Sequence, residues 1–181
     1  MTNRHVVITG SAATDLHDLA IVLRQRRLPV TVQMHLGELP RNPVTMLIIA
    51  ETFQAGMDWA RWWEQDTRTR HAFDKTLPRL APTGHGVLLG LSDTDEASAR
   101  DEIRAGMRSL IGAFSSHAAS VGGVDFVMNG IEVPPSHDPV LLTRRLEEHA
   151  VRSRLLADHF VIAYEDLIEQ TVAQATTTDF I

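Results

Sequence analysis

The chain of 181 residues contains no cysteine and only one tyrosine. Without cysteine there is no disulfide, no thiolate nucleophile and no Cys-ligated zinc site, which suits a reducing compartment. No apolar run reaches the roughly 18–20 residues of a membrane-spanning helix. The amino-terminal Met1-Thr2-Asn3-Arg4-His5 leads straight into Val6-Val7-Ile8, without the long apolar stretch of a signal peptide. The expectation is a cytoplasmic protein with no membrane contact. Basic residues are also short: 17 Lys and Arg stand against 23 Asp and Glu, a net charge of −6. Nucleic acid, which calls for a basic face, is therefore not an expected partner. Internal repeats, low-complexity tracts and linkers are missing too.

What is present is globular composition, 44% apolar and 22% charged, suited to one domain over 1–181. Residues 4–9 form a β-branched run closed by Thr9-Gly10, a buried strand and its turn. Leu16, Leu19, Ala20 and Leu23 recur at helical spacing, with Asp15 placed to cap the start and Arg24, Arg26 and Arg27 at the carboxyl end. Strands are expected at 30–34, 44–50, 87–91 and 124–128, separated by a loop at 35–43. Long helices are expected at 58–80 and 96–119, the second opened by the acceptors of Asp93, Asp95 and Glu96. Helices at 138–150 and 152–175 and an irregular tail from 176 complete the reading. Strands alternating with helices predict an α/β, Rossmann-like three-layer α/β/α fold with a mostly parallel sheet of about five strands. The connection between the second and third strands is short for a parallel crossover.

Several segments, taken in order, carry a resemblance. Val6-Val7-Ile8-Thr9-Gly10 is similar to a first strand opening a TGxxxGxG turn. Leu47-Ile48-Ile49-Ala50-Glu51 stands where an Asn-Asn-Ala-Gly strand end is found. Asp58-Trp59 with Glu64, Lys75 and Leu77-Pro78 resembles a helix bearing a catalytic Asn. Gly86 to Ser92 resembles a strand leading to a catalytic Ser. Arg104-Ala105-Gly106-Met107 with Leu110, Ile111 and Phe114 resembles the helix of a YxxxK motif. Val124 to Asn129 and Val133-Pro134-Pro135 resemble the strand and loop after it. The order and spacing resemble the short-chain dehydrogenase/reductase family, in particular its 3-oxoacyl-ACP reductase-like ketoreductases. Against that family, one strand–helix unit near 35–43 and the carboxyl-terminal strand are expected to be absent.

The functional residues of the family are not carried over. Thr9 and Gly10 are kept, but Thr14 and Leu16 stand at the other two glycine positions, where side chains should crowd a pyrophosphate. The Tyr position falls on Arg100 and the Lys position on Arg104. The Asn position falls on Asp66, and the Ser position on Ser92 or Asp93. Arginine keeps its proton near neutrality, so it cannot replace a phenol that protonates an alkoxide. The resemblance thus implies a catalytically inactive protein without NAD or NADP. It would pair with an active reductase of the family, or with itself, through helices 58–80 and 96–119. One alternative is an active NAD(P)-dependent ketoreductase with displaced residues. Another is a small-ligand-binding protein using the vacated cleft.

Trp59, Trp62 and Trp63 form an aromatic stripe. They read as core packing or, with Met107, Leu110 and Phe114, as an interface. The nine histidines form no HxxxH or HExxH pattern, so no metal site is expected. Either Asp66, Asp93 and Asp95 converge with Arg100 and Arg104 on an anionic-ligand pocket or a charge cluster shaping a partner's site, or Asp93, Asp95 and Glu96 cap a helix while the arginines are solvated or paired at the surface.

Overall fold

The computed structural model describes residues 5–33, 42–122, 126–152 and 160–178. Its strands are β1 (His5–Thr9), β2 (Val30–Gln33), β3 (Val44–Phe53), β4 (Leu80–Ser92), β5 (Val127–Val133) and β6 (Val161–Ala163). They form one sheet in the order β2-β1-β3-β4-β5-β6, parallel throughout. The helices are α1 (His17–Gln25), α2 (Trp59–Gln65), α3 (Thr67–Thr76), α4 (Ala97–Gly122), α5 (Pro139–Arg152), α6 (Asp166–Glu169) and α7 (Val172–Thr178). The expected Rossmann-like α/β/α arrangement is what forms.

Period-two alternation splits the strands between two cores. Val6, Ile8, Met46, Ile48, Ala50, Val87 and Leu89 pack beneath α1 and α5. Val7, Leu47, Ile49 and Leu88 pack beneath the α2–α4 layer, with Phe73, Phe114 and Phe126. Trp63 joins that second core edge-on to Phe114 at 4.3 Å, and Phe73 meets Phe126 at 5.0 Å. Such pairs add about 0.5–1.5 kcal/mol each beyond area burial. Trp59 lies over Gly106 so closely that a Cβ there would fall within 1.7 Å of the indole. Glycine is what lets α2 settle on α4.

Several boundaries differ from the sequence reading. The helix expected over 58–80 breaks at Asp66. That residue leaves helical geometry, and its carboxylate caps α3 by accepting from Arg68 N (3.1 Å) and Thr69 N (2.8 Å). The continuous helix over 152–175 is replaced, in its described part, by β6, α6 and the start of α7. Among the described residues the sheet therefore has six strands, against the five or so expected, the last being β6. A three-residue apolar strand inside a helical pattern gives no periodicity of its own. Strand β5 begins later than expected and runs on to Val133, and α7 extends into the tail expected to be irregular. Asp15 caps nothing: residues 13–16 form a 3-10 turn leading directly into α1. Residues 34–41, including most of the expected loop and His35, lie outside the described residues.

Helix α1 ends in a Schellman turn. Leu28 N bonds Leu23 O and Arg27 N bonds Arg24 O, with Arg27 at φ 61°. Opposite β4, His149 of α5 is buried edge-on to His85, ring centroids 4.6 Å apart. No hydrogen-bond partner for His149 Nε2 exists among the described residues. Burial, reinforced by the neighbouring His85, pushes its pKa from 6.5 down to about 3. The unfolded chain takes up this proton near pH 6.5, whereas the folded chain resists it until about pH 3. The resulting stability is complete above the unfolded value and is lost as pH falls, about 2 kcal/mol between pH 6.5 and 5. Denaturant unfolding across that interval should show this loss, and His149→Leu should remove most of it. An unchanged slope in the variant would place the proton uptake elsewhere.

Candidate functional site

In an open parallel sheet, ligands bind outside the carboxyl ends of the strands where strand order reverses. Here that point lies between β1 and β3, because the chain passes from β1 outward to β2 and then returns to the other side of β1. Two polar clusters mark this edge of the sheet, one at the reversal and one at the ends of β5 and β6.

At the reversal, Glu51 of β3 is buried under the turn that follows β1. Its carboxylate accepts from Ser11 N (3.1 Å), from the Ser11 hydroxyl and from Thr69 Oγ1 of α3 (2.9 Å). The turn itself is pressed onto β3. Gly10 adopts φ +110°, and a Cβ there would lie 2.2 Å from Ala50 O and 2.9 Å from Glu51 Oε1. Ala12 N bonds Ala50 O at 3.0 Å.

At the second cluster, α4 aims Arg100 inward against Glu132, a fully buried residue of β5. Arg100 Nε donates to Glu132 Oε1 (2.8 Å) and NH2 to Glu132 Oε2 (2.7 Å). The same guanidinium donates to Glu165, on the turn after β6, through NH1 (2.6 Å) and NH2 (2.8 Å). Arg104, one turn along α4, adds a bond to Glu132 at 3.2 Å and pairs with Asp101. Hydrogen bonds to Glu132 and then Glu165 raise the pKa of Arg100 further above its ordinary value. The bond from Arg100 likewise holds the Glu165 carboxyl below the usual range. An arginine held this way binds and orients carboxylates but gives up no proton.

The residues singled out from sequence are distributed differently from the expectation. Asp66, Asp93 and Asp95 do not bond Arg100 or Arg104. Asp66 caps α3 beside a shallow surface hollow lined by Trp62, Gln65, Thr67 and Arg68. Asp95 accepts from Ser136 N and Oγ, tying the loop before α4 to the loop before α5, while Asp93 is exposed. Ser92 closes a local turn, its hydroxyl donating to Thr94 O (2.9 Å) and accepting from Thr94 N (3.2 Å). Tyr164 is buried with its hydroxyl between Asp138 N and Asp138 O. Neither hydroxyl is bonded to a base. Thr9 is buried at the end of β1, Thr14 is exposed, and Leu16 points into the core beneath α1. The side chain that meets the turn from the sheet is Glu51.

Trp63, Met107, Leu110 and Phe114, considered for an interface, are buried in the chain's own second core, and Trp59 and Trp62 pack against that core. Glu132, Glu165 and Thr69 are not marked by any sequence motif, and Glu51 stands in the sequence only as a strand end. The available signal was a carboxylate inside a strand pattern: a glutamate flanked by apolar residues, as in Gly130-Ile131-Glu132-Val133, requires a buried partner.

Comparisons with protein-family models, curated proteins and solved structures give no match to this chain. Among the described residues, no group of three metal-ligating side chains comes together, and no helix is long and apolar enough to cross a membrane.

The two carboxylates on Arg100 should differ sharply in weight. Glu132→Gln leaves a buried guanidinium undercompensated and should cost about 3–5 kcal/mol in denaturant unfolding. Glu165→Gln, at a half-exposed side chain, should cost under about 1 kcal/mol and speed amide exchange within Val161–Ala163. Equal costs would contradict this description of the cluster.

Proposed function

We propose that this chain is a non-catalytic Rossmann-like subunit that pairs with a second copy of itself or with a reductase of the short-chain dehydrogenase/reductase type. The order of the sheet supports the scaffold half of this reading. Such a protein would bind a partner through a helix face while carrying no proton donor at the ends of its central strands. The residues standing at the expected Tyr and Lys positions, Arg100 and Arg104, are engaged with carboxylates and stay protonated.

The observation that carries the pairing is the outer face of α4. From Ser109 to Gly122 the helix has no Asp, Glu, Lys or Arg. Its inward residues fill the core, while Ser109, Ser116, Ala119, Ser120 and Val121 face outward. Val121 is 63% exposed. Space outside Gly112 is open, since a Cβ added there would meet nothing within 4 Å. A helix face that is small and uncharged lets a second helix approach closely without desolvating charge. On this reading the pairing surface is the outside of α4, since Trp63, Met107, Leu110 and Phe114 are buried in the chain's own core.

Light scattering of the purified chain, alone and after co-expression with reductases encoded beside it, tests the reading. The expected result is a homodimer or a heteromeric complex, converted to monomer by Gly112→Arg with helix content retained. A monomer in both preparations, or a complex indifferent to Gly112→Arg, would overturn it.

A further inference from the structure

The turn after β1 is where a Rossmann-like domain presents backbone N–H groups to a dinucleotide pyrophosphate. In this chain those groups are already used. Ser11 N goes to Glu51 at 3.1 Å, Ala12 N to Ala50 O at 3.0 Å and Ala13 N to Gly10 O at 3.2 Å. We infer that Glu51 is an internal anion closing the β1–β3 crevice: its carboxylate holds the donors that a bound phosphate would need, so the chain excludes dinucleotides and pyrophosphate.

Three features carry this. Glu51 is only 4% exposed, and among the described residues no lysine, arginine or histidine forms an ion pair with it. Among the described residues its carboxylate is met by N–H and O–H dipoles, the way a protein holds a phosphate or carboxylate ligand. These donors come from two elements, Ser11 on the turn and Thr69 in the first part of α3, so the carboxylate also ties the turn to the neighbouring helical layer. The space on the β3 side of the turn is filled as well, since Gly10 already sits against Ala50 O and Glu51 Oε1. A phosphate entering here would displace a buried carboxylate or share its site at close range, and two anions so placed repel strongly. The inference holds whether or not the chain pairs with a partner.

Chemical rescue tests it. Wild-type protein, titrated with NADPH, NADH and inorganic pyrophosphate by calorimetry and thermal shift, should give no binding and no change in Tm. Glu51→Ala strands the Ser11 and Thr69 donors. It should melt several degrees lower and recover part of the loss in sodium formate, rising with concentration, but not in matched sodium chloride. Glu51→Gln fills the same space and should melt low without responding to formate. Micromolar binding of any of the three ligands by wild type would overturn the inference, as would a Glu51→Ala variant as stable as wild type or indifferent to formate. Should Glu51→Ala not fold, the decision passes to the wild-type titrations and to Glu51→Gln. In that case a Gln variant as stable as wild type counts against the inference.

Discussion

One arginine ties α4, β5 and the turn after β6 together. Arg100 belongs to α4, Glu132 to β5 and Glu165 to the turn after β6, and one guanidinium makes four hydrogen bonds to the two carboxylates. Strand β6 is only three residues long and pairs with β5 through a short register. So few ladder bonds hold an edge strand weakly, and the side-chain bridge supplies a second attachment. The bridge also explains how Glu132 is tolerated at full burial. A lone carboxylate there would be too costly, whereas one facing two guanidinium groups is compensated.

The same logic recurs along the described rim of the sheet. Polar groups at the strand ends are spent on one another: Glu51 on Ser11 and Thr69, Ser92 on Thr94, Asp95 on Ser136, Tyr164 on Asp138. In an enzyme of this architecture the strand ends leave donors and titratable groups facing a substrate. Here they knit loops together, and the strongest electrostatic arrangement fixes a proton in place instead of passing it on. That division of labour is what supports the proposed scaffold role.

Much of the architecture was legible because alternation and helical spacing are local signals. The strand–helix order, the buried runs at 44–50 and 87–91 and the long α4 all follow from them. What escaped was set by tertiary partners. Asp66 reads equally well inside a helix, and only its cap to Thr69 N shows that the chain breaks there. Strand β6 is too short to announce itself between helical stretches. Trp63 was legible as apolar, but whether it faced the core or a partner depended on how α2 sits over α4. The site was the least legible part. Arg100 and Arg104 stood out by position, yet the carboxylates they hold come from β5 and from the turn after β6, 28 to 65 residues away in sequence. Glu51 was visible as the end of a strand, and its role depended on a glycine turn 40 residues earlier.

A double-mutant cycle on Arg100 and Glu132 bears most directly on this account. Arg100→Met and Glu132→Leu each leave a buried charge without its main partner, while the double variant removes both charges and keeps the volume apolar. If the pair is the closed structural bridge described here, denaturant unfolding will find the double variant more stable than either single variant, with the domain still folded. Strictly additive losses would show that the two residues act independently and would contradict it.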